Sequence, residues 1–380
     1  MTESQPEEPA PRLVPAGQIT TTLVHRPSRA PAPWWRRAVV YQVHGPAGVD
    51  GLAALSPDIS LVARLGATAV ELRVPAVDPD AADATGVVDE LIHRAHQRNL
   101  AVIASLAGAP DEELPERAER WLARGANGID VGLLPADGPT ADLGRLQAVV
   151  AESDEAVLTG AVSAAHPEVL AEQLLEHWLH VTRDDRLGTT PWDAAQLRAT
   201  ISDAYLQREP AGAAPGWTLA DFRGGTPWGL GEDEAARRRR RAATLLMLAL
   251  PGTVYIRQGE SVGVAPAPGD PVPATIADVA ALMRAQRGTP GALYERYRHA
   301  LRLRGELGLA TGPLAWVDDA PGSATLALLT RDLLVLTNVS EETAVVPTDR
   351  ELLHASDDVP LPSDGRLVIP PATTVWLATS

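Results

Sequence analysis

The chain has 380 residues, 45% of them hydrophobic, and a formal net charge of −16 at pH 7. This length exceeds the needs of one small domain and suits a barrel of roughly 250 residues with a smaller second domain. The strong negative charge argues against nucleic acid or an anionic membrane as the main partner. Cysteine is absent, which excludes disulfides and thiolate metal sites, and no signal-peptide pattern begins the sequence. These features predict a cytoplasmic protein.

Residues 1–33 are rich in Pro, Glu, Thr and Ser without a sustained hydrophobic period, which predicts a disordered tail. From Trp34 onward, apolar runs alternate with helix-period segments. Strands are predicted at 38–44, 68–74, 100–106, 128–134, 156–162, 179–183, 216–221 and 253–258. Helices are predicted at 57–66, 86–99, 111–124, 143–152, 168–178, 193–206, 235–250 and 292–307. Eight alternations with short connections indicate an α/β fold, a closed (β/α)8 TIM barrel over residues 34–310.

The hydrophobic pattern changes to a period of two residues after Gly312. Short strands separated by turn residues are predicted at 314–317, 324–330, 333–338, 342–346, 351–355, 366–369 and 373–378. This pattern indicates a small C-terminal antiparallel β-sandwich domain over residues 311–380.

Five stretches carry a family resemblance. They are W-W-R-R-A-V-V-Y-Q-V at 34–43, A-H-Q-R-N-L-A-V-I at 95–103, W-L-A-R-G-A-N-G-I-D-V-G at 121–132, the run from R-A-A-T-L-L to Q-G-E-S-V-G at 241–263, and P-P-A-T-T-V-W-L at 370–377. Each is similar to a segment of the alpha-amylase family of glycoside hydrolases, especially its alpha-glucosidase branch. The resemblance implies a barrel followed by a C-terminal β domain. The family inserts a long B domain after its third strand, whereas a few residues fill that place here, so we predict a barrel lacking it.

The resemblance also places the family's functional positions on this chain. The nucleophile position falls at Gly132 and the acid/base position at Ala161. A retaining glycosidase needs two carboxyl groups about 5 Å apart, so the resemblance implies that no catalytic residues of this kind remain. The family's calcium-ligand Asn falls at Gly108, and we predict no metal and no cofactor.

Several polar or aromatic residues are expected at the mouth of the barrel. Asp130 takes the place of the family's Arg, and the Asn-His-Asp of its seventh strand becomes Asp221, Phe222 and Arg223, while His44 ends the first predicted strand. They are candidates for a ligand site. The alternative for Asp130, Asp221 and Arg223 is an internal salt bridge, because buried charges need partners.

Two further clusters of charged residues are candidates for sites. Asp78, Asp80 and Asp83 lack the alternating ligand order and the closing Glu of a calcium loop, so no cation is predicted there. Five consecutive arginines at 237–241 would dock an acidic partner or phosphate, or else lie solvated around a helix.

Three functional hypotheses follow. The first is a catalytically inactive pseudoenzyme that acts as a binding, scaffold or regulatory subunit. The second is a non-catalytic carbohydrate sensor, and the third is an enzyme of different chemistry in a remodelled barrel mouth. A broad apolar surface patch would favour the first, exposed aromatics at the mouth the second, and an intact carboxylate cluster the third. The expected partner is a protein or a carbohydrate, without nucleic acid or membrane.

Overall fold

A computed structural model of the chain describes residues 20–28, 30–43, 48–137, 142–153, 155–219, 233–264, 275–318 and 324–379. Its first strand, β1 (Thr21–His25), precedes eight parallel strands that close into a barrel in chain order. The barrel strands are β2 (Val39–Val43), β3 (Ala69–Arg73), β4 (Ala101–Ser105), β5 (Gly128–Leu133), β6 (Val157–Val162), β7 (Val181–Asp184), β8 (Gly216–Trp217) and β9 (Thr253–Arg257). All eight lie where the apolar runs predict them, and β7 also includes Asp184. The predicted TIM barrel is confirmed.

Helices follow the barrel strands and cover the outside of the barrel. They are α1 (Val49–Leu55), α2 (Ile59–Leu65), α3 (Thr85–His96), α4 (Leu114–Ala123), α5 (Leu143–Ala151), α6 (Pro167–Glu176), α7 (Arg186–Thr189), α8 (Ala194–Arg208), α9 (Glu234–Ala249), α10 (Ile276–Gln286) and α11 (Leu293–Glu306). Within the described residues, no helix has the length and apolar character that a bilayer crossing requires.

Helix α4 illustrates how the pattern sets the packing. Its apolar side chains, including Trp121, are buried against the barrel, while charged residues occupy the other side. The helix ends before Gly125, whose φ of +97° is accessible to glycine at little cost. Strand β4 is joined to α4 by residues 106–113, with a 3-10 turn at Asp111–Glu113, so the connection contains no inserted domain.

The C-terminal strands form two sheets. The strands are β10 (Leu314–Val317), β11 (Thr325–Thr330), β12 (Leu333–Asn338), β13 (Ala344–Pro347), β14 (Leu352–Ala355), β15 (Arg366–Ile369) and β16 (Thr373–Ala378). A six-stranded sheet has the order β1-β10-β11-β12-β16-β14, and β13 pairs with β15. Buried residues of both sheets, among them Leu336, Val346 and Leu367, meet in one small core, as the predicted β domain requires.

Strand β1 corrects the prediction of a disordered tail over residues 1–33. Thr21–His25 pairs antiparallel with β10 at the edge of the sheet, and the His25 ring stacks on Tyr205 of α8 with centroids 4.9 Å apart. The segment is short and mostly exposed, so its sequence shows no apolar period, and hydrogen bonding to an open sheet edge decides its structure. Residues 1–19 lie outside the described part.

The barrel and one face of the six-stranded sheet share a core. The largest apolar cluster extends from Val39 in β2 to Trp376 in β16. The Thr374 hydroxyl donates to the Ala242 carbonyl at 2.8 Å, and the Trp376 indole donates to the Leu245 carbonyl at 3.2 Å. Helix α9 is therefore covered by the barrel on one side and by β16 on the other.

The run of five arginines contributes to the same interface. Arg238 and Arg241 both pair with Asp357, at 3.2 and 2.6 Å, and Arg239 pairs with Glu341 at 2.7 Å. These carboxylates belong to the C-terminal domain. Much of the run therefore links α9 to that domain, which neither sequence interpretation anticipated.

Candidate functional site

A layer of polar side chains crosses the inside of the barrel. Glu71 of β3, Asp130 of β5 and Arg183 of β7 are 4%, 0% and 6% exposed. Alternation along the strands turns these side chains inward, above an apolar layer that includes Val40 and Ile103. Charges in such a place require partners, because burial removes their hydration.

Asp130 accepts hydrogen bonds from four neighbouring residues. Arg183 Nη1 lies 2.6 Å from Asp130 Oδ1, and the Thr159 hydroxyl donates to the same oxygen at 3.1 Å. The Ser105 hydroxyl and the Gly132 amide donate to Oδ2 at 2.8 and 3.1 Å. Asp130 thus forms the internal salt bridge that was one of its two predicted roles, although its partner is Arg183.

Glu71 is the second carboxyl of the layer. Gln42 donates an amide hydrogen to Glu71 Oε1 at 2.9 Å, and Oε2 lies 3.6 Å from Arg183 Nη1 without a hydrogen bond to a described residue. Burial raises the pKa of Glu71 to about 7, although Arg183 opposes the shift. Burial therefore favours the protonated form of Glu71, and protonation leaves one carboxylate, Asp130, opposite one guanidinium, Arg183.

Arg183 is held from several sides. Burial opposes its charge, yet the carboxylates of Asp130 and Glu71 raise the pKa of the guanidinium above its usual value. Its Cζ also lies 4.9 Å from the centroid of the Tyr255 ring, a cation–π contact. Arg183 therefore stays charged and fixed at the centre of the barrel.

The position that resembles the family nucleophile lies in an irregular part of β5. The pairing of β5 with β6 shifts register between Asp130 and Leu133, and Gly132 has a φ of +77°. A Cβ at Gly132 would lie 2.4 Å from the Cβ of Ala107. A side chain there requires the backbone to move. Ala161, at the acid/base position, is 2% exposed within β6.

The remaining predicted site residues divide into two groups. His44, Asp221, Phe222 and Arg223 lie outside the described residues, so their expected role at the mouth stays a prediction. Asp78 lies 2.9 Å from Arg120 of α4, and Asp80 lies 2.7 Å from Arg124, the residue that follows α4. Within the described ranges, no group of three or more His, Asp or Glu side chains is placed to hold a metal ion.

Sequence reasoning missed Glu71 and Arg183. Each is a charged residue inside a short buried strand, A-V-E-L-R and V-T-R-D. That signal was available, because an ionisable side chain inside an apolar run needs a partner of opposite charge. The sequence does not identify the partner, because β3, β5 and β7 are brought together only by the closure of the barrel.

The fold is similar to that of several solved enzymes. An alpha-glucosyl transfer enzyme, XgtA, is 18% identical, with a TM-score of 0.69 over 91% of this chain and 99% of that one. The chain has the fold of the alpha-amylase family of glycoside hydrolases. Eubacterium rectale Amy13B is 12% identical, with a TM-score of 0.71 over 94% and 100% of the two chains. An alpha-amylase from Malbranchea cinnamomea is 12% identical, with a TM-score of 0.59 over 91% and 97%.

The sequence itself matches no protein-family model and no curated protein. The similarity to solved enzymes at 12–18% identity therefore concerns the fold. Within this alpha-amylase-type barrel, the described centre contains a buried ion-pair cluster of Glu71, Asp130 and Arg183. The two carboxyl groups of a glycosidase must contact the sugar. Here Asp130 and Glu71 are buried, and they accept hydrogen bonds from Arg183 and Gln42, respectively.

Proposed function

We propose that this chain is a catalytically inactive protein of alpha-amylase-type fold that acts as a binding or regulatory subunit. The observation that carries the proposal is Gly132, a bulged, positive-φ residue at the position that resembles the nucleophile. Its amide is bound to Asp130, and Ala107 fills the space that a side chain would need. A nucleophilic carboxylate cannot be supplied from this backbone without rebuilding it.

The main rival is an enzyme of different chemistry, and the Glu71–Asp130 pair is what favours it. Glu71 has a raised pKa, and the neighbouring Asp130 is paired with a cation. Such a pair of carboxyl groups is found in acid–base sites. Against this, Asp130 accepts four hydrogen bonds and neither carboxyl is open to solvent in the described structure. We therefore assign the pair to the stability of the barrel.

A direct assay separates these possibilities. The purified protein is incubated at high concentration with p-nitrophenyl alpha-glucoside, maltose, sucrose and trehalose, beside an active alpha-glucosidase. We expect no product above the rate of heat-inactivated protein. Turnover that disappears in Glu71→Gln, a variant chosen to keep the shape of the side chain, would establish the enzyme hypothesis. Saturable maltotriose binding without turnover would favour the carbohydrate sensor.

A role in binding a protein is supported by an apolar pair on the outer face of the small sheet. Val345 of β13 and Val368 of β15 are register partners and are 53% and 40% exposed. If a protein partner docks there, it will be captured by the wild-type chain and lost with Val345→Asp/Val368→Asp. Equal recovery of the partner by the wild-type chain and the double variant would exclude this face as the docking site. The exposed-residue substitution Arg145→Glu is the matched control for an added negative charge.

A further inference from the structure

A cleft crosses the face of the barrel where the strands begin, opposite to the mouth. Two adjoining cavities of about 780 and 910 Å³ share Gly66, Leu301 and Gly305 as lining residues. The inner cavity is bordered by the starts of β2 and β4, at Val39 and Ala101. Each volume lies in the range of small-molecule sites, about 300–1,000 Å³.

The described lining of this cleft is strongly basic. Its arginines are Arg37, Arg64, Arg287, Arg298, Arg302 and Arg304. Glu155 and Glu306 are the acidic residues of the same lining, so six positive charges face two negative ones. The excess of four positive charges stands out in a chain with a net charge of −16. A concave surface of one sign concentrates ligands of the opposite sign.

The arginines that line the outer cavity are incompletely paired. Arg302 pairs with Glu306 at 2.7 Å, and Arg298 lies 3.4 Å from Glu295. Arg64 and Arg287 form no ion pair or side-chain hydrogen bond with a described residue. Arg64, Arg287 and Arg298 all line the outer cavity, so three guanidinium groups from different parts of the chain border one space.

The floor of the inner cavity contains a buried cation. Arg304 is 2% exposed, and burial lowers its pKa to about 10, so it remains charged at neutral pH. Its guanidinium donates to the carbonyls of Leu248, Leu250 and Gly252 at 2.7, 2.7 and 2.5 Å, at the end of α9, and Nε has no hydrogen bond to a described residue. Among the described residues no carboxylate pairs with Arg304, so its positive charge is offset only by the carbonyl dipoles at the end of α9.

Gly305 supplies an independent observation. It is the penultimate residue of α11, where glycine is a poorer helix former than alanine. A Cβ at this position would meet no other atom within 4 Å, so packing does not require glycine. Gly305 lines both cavities, and the missing side chain leaves the passage between them open.

We propose that this cleft binds a phosphorylated small molecule. The phosphate would lie among Arg64, Arg287 and Arg298, since guanidinium forks bind phosphate oxygens in pairs. The organic part would pack against Leu301 and the half-buried indole of Trp34. The volumes of the two cavities, which lie in the range of small-molecule sites, favour such a ligand over an extended acidic peptide. The site is distinct from the barrel mouth and does not depend on the inactivity of the barrel.

The test is calorimetric titration of the full chain with inorganic pyrophosphate, glucose 6-phosphate, glucose and hexaglutamate. We expect both phosphate probes to bind with a Kd below about 1 mM, and glucose not to bind. Arg64→Ala/Arg287→Ala should weaken binding of both probes by roughly tenfold or more. Gly305→Leu should block glucose 6-phosphate while leaving the melting temperature unchanged or higher, because leucine is the better helix former.

Arg145→Ala is the matched control, since Arg145 is an exposed arginine that pairs with Glu116 away from the cleft. Absence of binding by both phosphate probes overturns the proposal. So does equal weakening by Arg145→Ala, which would show a general charge effect. Binding of hexaglutamate without binding of the phosphate probes would assign the cleft to an acidic peptide instead.

Discussion

Among single residues, Arg183 determines whether the centre of the barrel can remain folded. It is the cation shared by Asp130 and Glu71, and all three are buried. Removing one partner of such a cluster leaves an uncompensated buried charge, which costs more than the intact cluster contributes. Glu71 differs from Asp130 because its raised pKa lets it lose its charge by taking up a proton.

We therefore expect Arg183→Met to lower the free energy of unfolding by about 3–5 kcal/mol at pH 7. Glu71→Gln should cost less than about 1 kcal/mol, because glutamine resembles the protonated acid and still accepts from Gln42. Urea unfolding followed by circular dichroism measures both. Equal losses in the two variants would contradict the assignment of Glu71 as the readily neutralised member.

Gly132 gives a second residue-scale prediction. Gly132→Ala places a side chain on a residue with positive φ and brings its Cβ to 2.4 Å from the Cβ of Ala107. We therefore expect the free energy of unfolding to fall by ~2 kcal/mol or more. Adding Ala107→Gly removes the contact and leaves the backbone strain, so the double variant should recover part of the loss. A double-mutant cycle by urea unfolding measures the coupling. Strict additivity of the two substitutions would show that the contact does not exist.

At the scale of elements, sequence patterns located the eight barrel strands and eight of the helices, and they missed three helices and one strand of the described part. Helices α1, α7 and α10 were not predicted. The first two are short, whereas the capping box of Thr275 and Asp278 at the start of α10 was a readable signal. Strand β1 was missed because its structure depends on the open edge of β10.

The candidate site shows the same division between local and distant information. Asp130 could be identified from its own strand, because an acidic residue interrupts G-I-D-V-G-L. Its partner Arg183 lies two strands further along the barrel, and the order of inward side chains is set by barrel closure. The positive φ of Gly132 and its contact with Ala107 depend on backbone geometry that no residue pattern encodes.

For the whole molecule, the common core predicts that the barrel and the C-terminal sheets unfold together. Trp316 and Trp376 belong to the same apolar cluster as the barrel helices. We expect one transition in thermal unfolding, with the same midpoint by far-UV circular dichroism and tryptophan fluorescence. A chain that ends at residue 311 should aggregate, because it exposes the face of α9 that β16 covers. A soluble, cooperatively folded fragment would contradict the shared core.

The interface between α11 and the C-terminal sheet should make the whole molecule sensitive to acid. His354 Nε2 lies 3.0 Å from the Arg296 carbonyl oxygen, to which it donates, and its ring is 4.6 Å from that of His299. Burial lowers the pKa of His354 from 6.5 to about 4, helped by His299 and by nearby arginines. Between these values the unfolded chain binds more protons than the folded one, so stability falls as pH decreases from 6.5 towards 4.

His354→Gln retains an N–H donor for the Arg296 carbonyl and removes the titration. The difference in unfolding free energy between wild type and this variant should therefore shrink from pH 7 to pH 4.5, because the wild type loses the contribution of its neutral histidine. Urea unfolding at several pH values measures this difference, and carboxylates common to both chains cancel from it. His166→Gln is the control, since His166 lies exposed beside Glu168. Parallel pH curves for wild type and His354→Gln would show that His354 titrates alike in the folded and unfolded chains, contrary to its burial against Trp376.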